Sequence, residues 1–278
     1  MSSPRVAVAV PTRNRPSSLA RCLEALEAQT IAHELEILVV CDGLDAASRI
    51  AEVVRGWQRA RLLVQDQAGP GSARNLAARA ASAPILLCTD DDCEPQADWA
   101  ERLAAAIGQG ADGAVGRALN GQPQSALAGA SQLVVTYLQE QALREGGVYG
   151  AANNLGCRTE ALRRVPFDPA FRFAGGDRDW CARAAAAGLR LAYEPRACVV
   201  HRQRLTLASF WRQQLAYGRG AYLFRRRRGI PIGLENAGFY AGLVRRAVAD
   251  RPAVGGLVVV GQAATAAGFL LEALGARR

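Results

Sequence analysis

The first ninety residues alternate short, uninterrupted apolar runs with segments of helical periodicity, and few folds accept that alternation. Residues 6–10 form an apolar run stopped by Pro11, with the length and continuity of a strand buried on both faces. Leu19, Cys22, Leu23 and Leu26 then keep helical spacing, with Ser17 or Ser18 placed to cap the helix. The same reading predicts a strand over 35–41, a helix over 46–59, a strand over 61–64, a helix over 72–81 and a strand over 84–89. Such spacing implies right-handed crossovers and a mostly parallel sheet covered on both faces. Sheets of this kind bind ligands in the crevice beyond the carboxyl ends of their strands. Pro11-Thr12, Asp42 and Asp90 to Asp92 each follow a strand directly, so they are expected to converge on one edge.

Three adjacent carboxylates, Asp90, Asp91 and Asp92, are the most pronounced chemical feature. They repel one another unless solvated or neutralised, and hard divalent cations take one or two carboxylates together with substrate phosphates. In an extended backbone Asp90 and Asp92 face one way and Asp91 the other. The plain alternative is a solvated acidic turn, and Asp42 before Gly43 likewise reads as a simple turn former. Gly69 and Gly71, just before a helix start, let the backbone approach an anion with the helix dipole assisting.

Four ordered motifs carry a resemblance. Val10-Pro-Thr-Arg-Asn-Arg15, Val39-Val-Cys-Asp-Gly43, Gly69-Pro-Gly-Ser-Ala-Arg-Asn75 and Thr89-Asp-Asp-Asp-Cys-Glu-Pro95 resemble, in order and spacing, the family 2 glycosyltransferases of the GT-A fold. The resemblance extends to about His201. It implies an α/β fold with a Rossmann-like, mostly parallel sheet flanked by helices, forming a nucleotide-sugar-binding and catalytic domain over residues 1–201. It implies that Pro11, Thr12 and Arg13 line the nucleobase and ribose pocket, that Asp42 accepts from the base, and that Arg74 and Gly71 lie beside the base or diphosphate. Asp90 would hold the ribose, with Asp91 counted beside it among the nucleotide-binding residues. Asp92 would ligate a divalent cation, Mn²⁺ or Mg²⁺, bridging the phosphates of a nucleoside diphosphate sugar.

In the second half, helices are expected over 126–143, 177–187 (closed by Gly188) and 210–228, with short strands over 189–193 and 197–201. Phe173-Ala-Gly-Gly-Asp-Arg-Asp-Trp-Cys-Ala-Arg183 resembles the family's later acidic motif, Gly-Glu-Asp-x-Asp-Leu-x-x-Arg. The alignment makes Asp177 the general base of an inverting transfer and puts Gly176 where Glu is usual. That departure raises the reading of a non-catalytic relative. Asp177 also reads as a helix cap and Asp179–Arg183 as an i,i+4 pair. Burial beside Trp180 would raise the Asp177 pKa. His201 resembles a position that completes the metal site in some relatives, although one hydrogen bond would also account for a buried His. Asn154, Gly176 and Trp180 are expected at the sugar or acceptor pocket.

Charge is unevenly placed. Residues 202–251 hold eleven Arg against Glu235 and Asp250, a local balance of +9 that equals the net charge of the whole chain. Residues 254–271 then carry no charge, which is just long enough to span a bilayer of about 20 residues. The 202–278 region therefore reads as a helical, Arg-rich and then apolar extension, membrane-lying before membrane-spanning, with a packed helix as the plain alternative. The acceptor is then lipid-linked or a small molecule, and the location cytoplasmic, or peripheral at the cytoplasmic membrane face. Met1 to Pro4 leads directly into the first strand with no secretory pattern, and seven Cys without a C-x-x-C pair fit a reducing compartment. The absence of Lys excludes a standard P-loop, and no dinucleotide fingerprint or Gly-x-Ser-x-Gly elbow is present. The alternatives are a sugar-nucleotide nucleotidyltransferase, which lacks its triphosphate loop here, and nucleic-acid binding through the Arg-rich tail, which is not expected.

Overall fold

The structure is a computed structural model describing residues 5–172, 174–233 and 235–275. The expectations that fall on Met1–Pro4 and on Phe173 at the head of the acidic motif lie outside the described residues.

An eight-stranded sheet forms the frame. In chain order the strands are β1 (Val6–Thr12), β2 (Leu35–Asp42), β3 (Ala60–Gln65), β4 (Ile85–Cys88), β5 (Cys93–Pro95), β6 (Gly113–Asn120), β7 (Leu155–Arg158) and β8 (Leu191–His201). Their spatial order is β3-β2-β1-β4-β7-β6-β8-β5. The first four are parallel, as the crossover rule requires. β7 runs antiparallel between β4 and β6, and β5 antiparallel beside β8, so the second half of the sheet is mixed. The two short strands expected at 189–193 and 197–201 are one strand. It passes Pro195 where the β6 register shifts between Val115 and Arg117, an irregularity that tolerates proline.

Among the described residues ten α-helices accompany the sheet: α1 (Pro16–Glu27), α2 (Ala47–Val54), α3 (Pro70–Ala80), α4 (Trp99–Gly108), α5 (Ala126–Arg144), α6 (Thr159–Arg164), α7 (Gly176–Ala186), α8 (Leu207–Arg228), α9 (Ala237–Asp250) and α10 (Pro252–Gly275). Proline, not serine, opens α1, with Arg15 at its cap position. One apolar cluster packs α1, α2 and α4 on one sheet face; a second packs α3, α6 and α7 on the other. Because β1 is buried from end to end and β2 at every position but Glu36, their side chains serve both clusters, and alternation is absent from their sequence.

A third cluster joins α5 to the C-terminal helices through Ala130, Tyr137, Phe210, Leu243, Ala247, Val254 and Val258. α8 and α10 cross closely. A Cβ on Gly218 would collide with the Thr265 carbonyl, and one on Gly268 with the Leu215 carbonyl, so only glycine permits this approach. Gly218→Ala is expected to lower stability by about 1–3 kcal/mol through overpacking. A denaturant midpoint equal to that of the unmodified chain would show that the crossing relaxes freely.

Candidate active site

The acidic triplet emerges from β4, whose parallel pairing with β1 brings Asp90 to Asp92 beside the end of β1 and the start of α1. Alternation then separates the three side chains. Asp91 turns inward and is fully buried. It accepts a 2.6 Å hydrogen bond from Thr12 Oγ1 and contacts Arg15 at 2.5 and 3.1 Å. Burial pushes its pKa up to about 7, against the pull of Arg15 and Thr12. Asp91 and Thr12 are thus spent inside the fold, and neither lines the cavity described below.

Asp90 and Asp92 face a cavity of about 880 Å³. Arg74, almost wholly buried, donates from Nη2 to Asp90 Oδ1 at 2.5 Å and rests over the Phe167 ring. Arg15 Nη1 meets Asp92 Oδ2 at 2.7 Å, so a single guanidinium holds both the buried Asp91 and the cavity-facing Asp92. His201 Nε2 lies 3.4 Å from Asp92 Oδ1; it ends β8 opposite Cys93 of β5. Burial would raise the Asp92 pKa, but the His201 hydrogen bond and the charges of His201 and Arg15 outweigh it, bringing Asp92 to about 2. Burial lowers that of His201, and Asp92 more than reverses it. Gln132 Oε1 and Gln203 Nε2 each lie 3.4 Å from His201 Nδ1, which donates to the first when protonated there and accepts from the second when not.

Asp92, Cys93 and His201 bring one potential ligand atom each within 4.8 Å of one another. The donor set fits a divalent cation through Asp92 and His201 alone. Cys93 is fully buried, and burial raises its thiol pKa well above the usual range. An oxygen and an imidazole suit Mn²⁺ better than Mg²⁺.

Asp177, in the first turn of α7, lines the same cavity. Gly175, in the left-handed region at φ 84°, is the cap residue, so the Asp177 side chain is not the cap. Its Oδ1 accepts from the Arg178 N–H at 2.8 Å. Burial raises its pKa, opposed by backbone N–H groups and by Arg74. The enclosing walls are Tyr149 and Tyr217. Trp180 is not among them: it is buried on Phe167 and donates to the Val165 carbonyl at 2.7 Å. Asp179 pairs with Arg183 at 2.6 Å.

Gly71 and Gly176 line the cavity as expected, but Asn154 does not. Its amide is consumed by Trp99 Nε1 and by the carbonyls of Arg117 and Ala197. Its neighbour Asn153 lines the cavity instead. Asn153 Oδ1 and Arg74 Nε are buried and meet no hydrogen-bond partner among the described residues. Asp42 accepts from Gln65 Nε2 and from the Ala68 and Gly69 N–H groups at 2.8 to 3.0 Å, which pins the loop into α3. Arg13 pairs loosely with Asp45 at 3.7 Å, and Pro11 is buried at the end of β1. Pro11, Arg13 and Asp42 lie outside the cavity lining, toward the ends of β1 and β2. Arg15, Gln132 and Arg178 are lining residues that the sequence did not single out, whereas Asn153 stood beside Asn154 in the expected sugar-pocket stretch. Of those three only Arg15 carried a signal, as the last residue of the first motif.

Asp91 yields a pH test. Its folded pKa is raised above the ordinary 3.8 to about 7, so the folded state holds its proton more tightly. Stability from this group therefore falls as pH rises through that window. Asp91→Asn, which mimics the protonated form, is expected to gain stability relative to the unmodified chain between those two values. A difference independent of pH would mean that Asp91 is ionised throughout.

The chain matches the description Glycosyl transferase family 2 over residues 7–165, more than half its length. Glycosyltransferase AglE of Haloferax volcanii is 28% identical over 222 residues, 78% of this chain and 73% of that protein. The pre-mycofactocin glycosyltransferase of Mycobacterium tuberculosis is 28% identical over 229 residues; the match covers 78% of this chain but only 46% of that protein. Among solved structures, S. aureus TarS 1-349 in complex with UDP shares the fold, with a TM-score of 0.55 at 19% identity over 87% of this chain and 70% of that one. With four motifs in order, a shared fold and acidic groups gathered on one cavity, the chain belongs to glycosyltransferase family 2.

Proposed function

We propose that this transferase moves a sugar from a nucleoside diphosphate donor to an acceptor hydroxyl with inversion at the anomeric carbon, Asp177 acting as general base. The observation that carries the reading is the convergence of Asp90, Arg74, Asp92 and Asp177 on one cavity. They come from three separate stretches of chain, and the carboxylates nearest the donor end are each held by a guanidinium.

Arg74 and the start of α3 would receive the diphosphate, since a guanidinium and a helix N-terminus both favour phosphate oxygens. Asp90 would accept from the ribose hydroxyls. Asp92 and His201 would hold a divalent cation, which when bound would neutralise charge developing on the leaving diphosphate. The free Asn153 Oδ1 is placed to accept from a sugar hydroxyl. Asp177 would take the acceptor proton as the new bond forms, and no second carboxylate is needed because inversion is a single displacement. Its raised pKa brings it nearer to that task than an ordinary aspartate. Val134, Val135, Leu138, Phe224 and Phe269 line the cavity too, so the acceptor carries an apolar part beside its hydroxyl. UDP-sugars are the first donors to test, because TarS was captured with UDP.

Asp177→Asn is expected to retain donor binding, read as thermal stabilisation by UDP, GDP or dTDP donors with Mn²⁺, while kcat falls about 10²–10⁴-fold. In the unmodified enzyme the rate should fall as pH drops through a pKa above the ordinary aspartate value of 3.8. Transfer by Asp177→Asn at the unaltered rate would remove Asp177 from the role of base.

A further inference from the structure

α10 is 24 residues long and long and apolar enough to cross a membrane by length and composition, yet it packs along one side onto the protein. Val254, Gly255, Val258, Gly261, Ala264, Gly268 and Phe269 face α5, α8 and α9. Gln262, Thr265 and Ala266 face the cavity. The opposite side is a continuous apolar stripe: Ala253, Gly256, Val259, Val260, Ala263, Leu270, Leu271 and Leu274 recur at helical spacing and are exposed. Leu270, Leu271 and Leu274 are each about 60% exposed, far beyond the scattered single residues of an ordinary surface. Glu272 is the one acidic residue of α10, and it is paired with Arg219 at 2.8 Å.

The helices packed on α10, namely α9 and α8, carry further exposed apolar residues and arginines. Val248 of α9 packs beside Gly255 and is itself half exposed, with Arg245 one turn before it. Leu207 and Trp211 of α8 are exposed with Arg212 alongside, and Arg226, Arg227 and Arg228 close the same helix. Exposed apolar side chains and an indole, on helices that also carry exposed arginines, suit a surface that is oily below and anionic above.

We infer that the outer face of α10, with Leu207, Trp211 and Val248, seats the protein on an anionic lipid surface, α10 lying in the interface plane rather than crossing it. Spanning would strip α10 from α8 and expose the Gly218 and Gly268 crossing, together with the cavity wall that Thr265 and Phe269 supply. Lying flat keeps that wall intact and buries only what is already exposed. A second copy of the chain would also cover apolar residues, but a two-fold contact would bring like-charged arginine rims together.

Sedimentation of the full chain with phosphatidylcholine vesicles, with and without phosphatidylglycerol, tests this. Capture is expected on the anionic vesicles, weakening as salt is raised. Leu270→Glu with Leu274→Glu should weaken it about ten-fold or more. Arg226→Gln with Arg228→Gln should lower it toward the level on phosphatidylcholine alone, and both pairs, being exposed, should keep the thermal midpoint. No capture on anionic vesicles, or equal capture of the leucine double variant, overturns the inference. Resistance to alkaline carbonate extraction would mean that α10 spans instead. A dimer in light scattering that Leu270→Glu dissociates would assign the stripe to a second copy.

Discussion

The pairing of Arg15 with both Asp91 and Asp92 is the interaction on which the rest of the site depends. Three neighbouring carboxylates at a strand end are a source of repulsion, and the fold resolves it by direction. The middle one turns into the protein, where Thr12 and Arg15 surround it; the outer two turn into the cavity, where Arg15 and Arg74 each hold one. Arg15 stands at the junction of β1 and α1, so a single side chain ties that junction to the end of β4. Replacing it would disturb both the buried Asp91 and the cavity-facing Asp92.

The cavity is completed by elements far from the sheet edge. α5, α8 and α10 supply its apolar residues, and Gly220 lets α8 approach Ala174 and Gly175, just ahead of Asp177. The cavity thus combines polar groups from strand ends (Asp90, Asp92, His201) and from α3 and α7 (Arg74, Asp177) with apolar side chains from α5, α8 and α10. The same C-terminal helices that close the cavity expose the apolar stripe on their outer side, so one helical layer serves an inward and an outward surface.

Much of this was readable in the chain. Unbroken apolar runs located the parallel strands, and period-2 alternation already separated Asp91 from its neighbours. What escaped was orientation set by tertiary contacts. Asn154 and Asn153 are one residue apart in a 3₁₀ turn, and the turn alone decides which amide reaches the cavity. Trp180 follows Asp177 by three positions, but α7 rotates the indole onto Phe167. β6 was missed because Gly113 and Gly116 break its apolar pattern, and β7 because four residues carry too little periodicity. α9 lies between two segments whose charge and hydropathy drew attention away from its own helical spacing.

The central claim is that Asp92 and His201 share one cation with a nucleoside diphosphate. Pulsed electron paramagnetic resonance of Mn²⁺ bound to the protein, recorded with UDP, GDP and dTDP in turn, addresses it directly. The expected spectrum contains imidazole nitrogen coupling and phosphorus coupling from one nucleotide on the same ion, with the nitrogen signal lost in His201→Ala. Phosphorus coupling without nitrogen, or Mn²⁺ binding that is indifferent to both Asp92→Ala and every nucleotide, would contradict it.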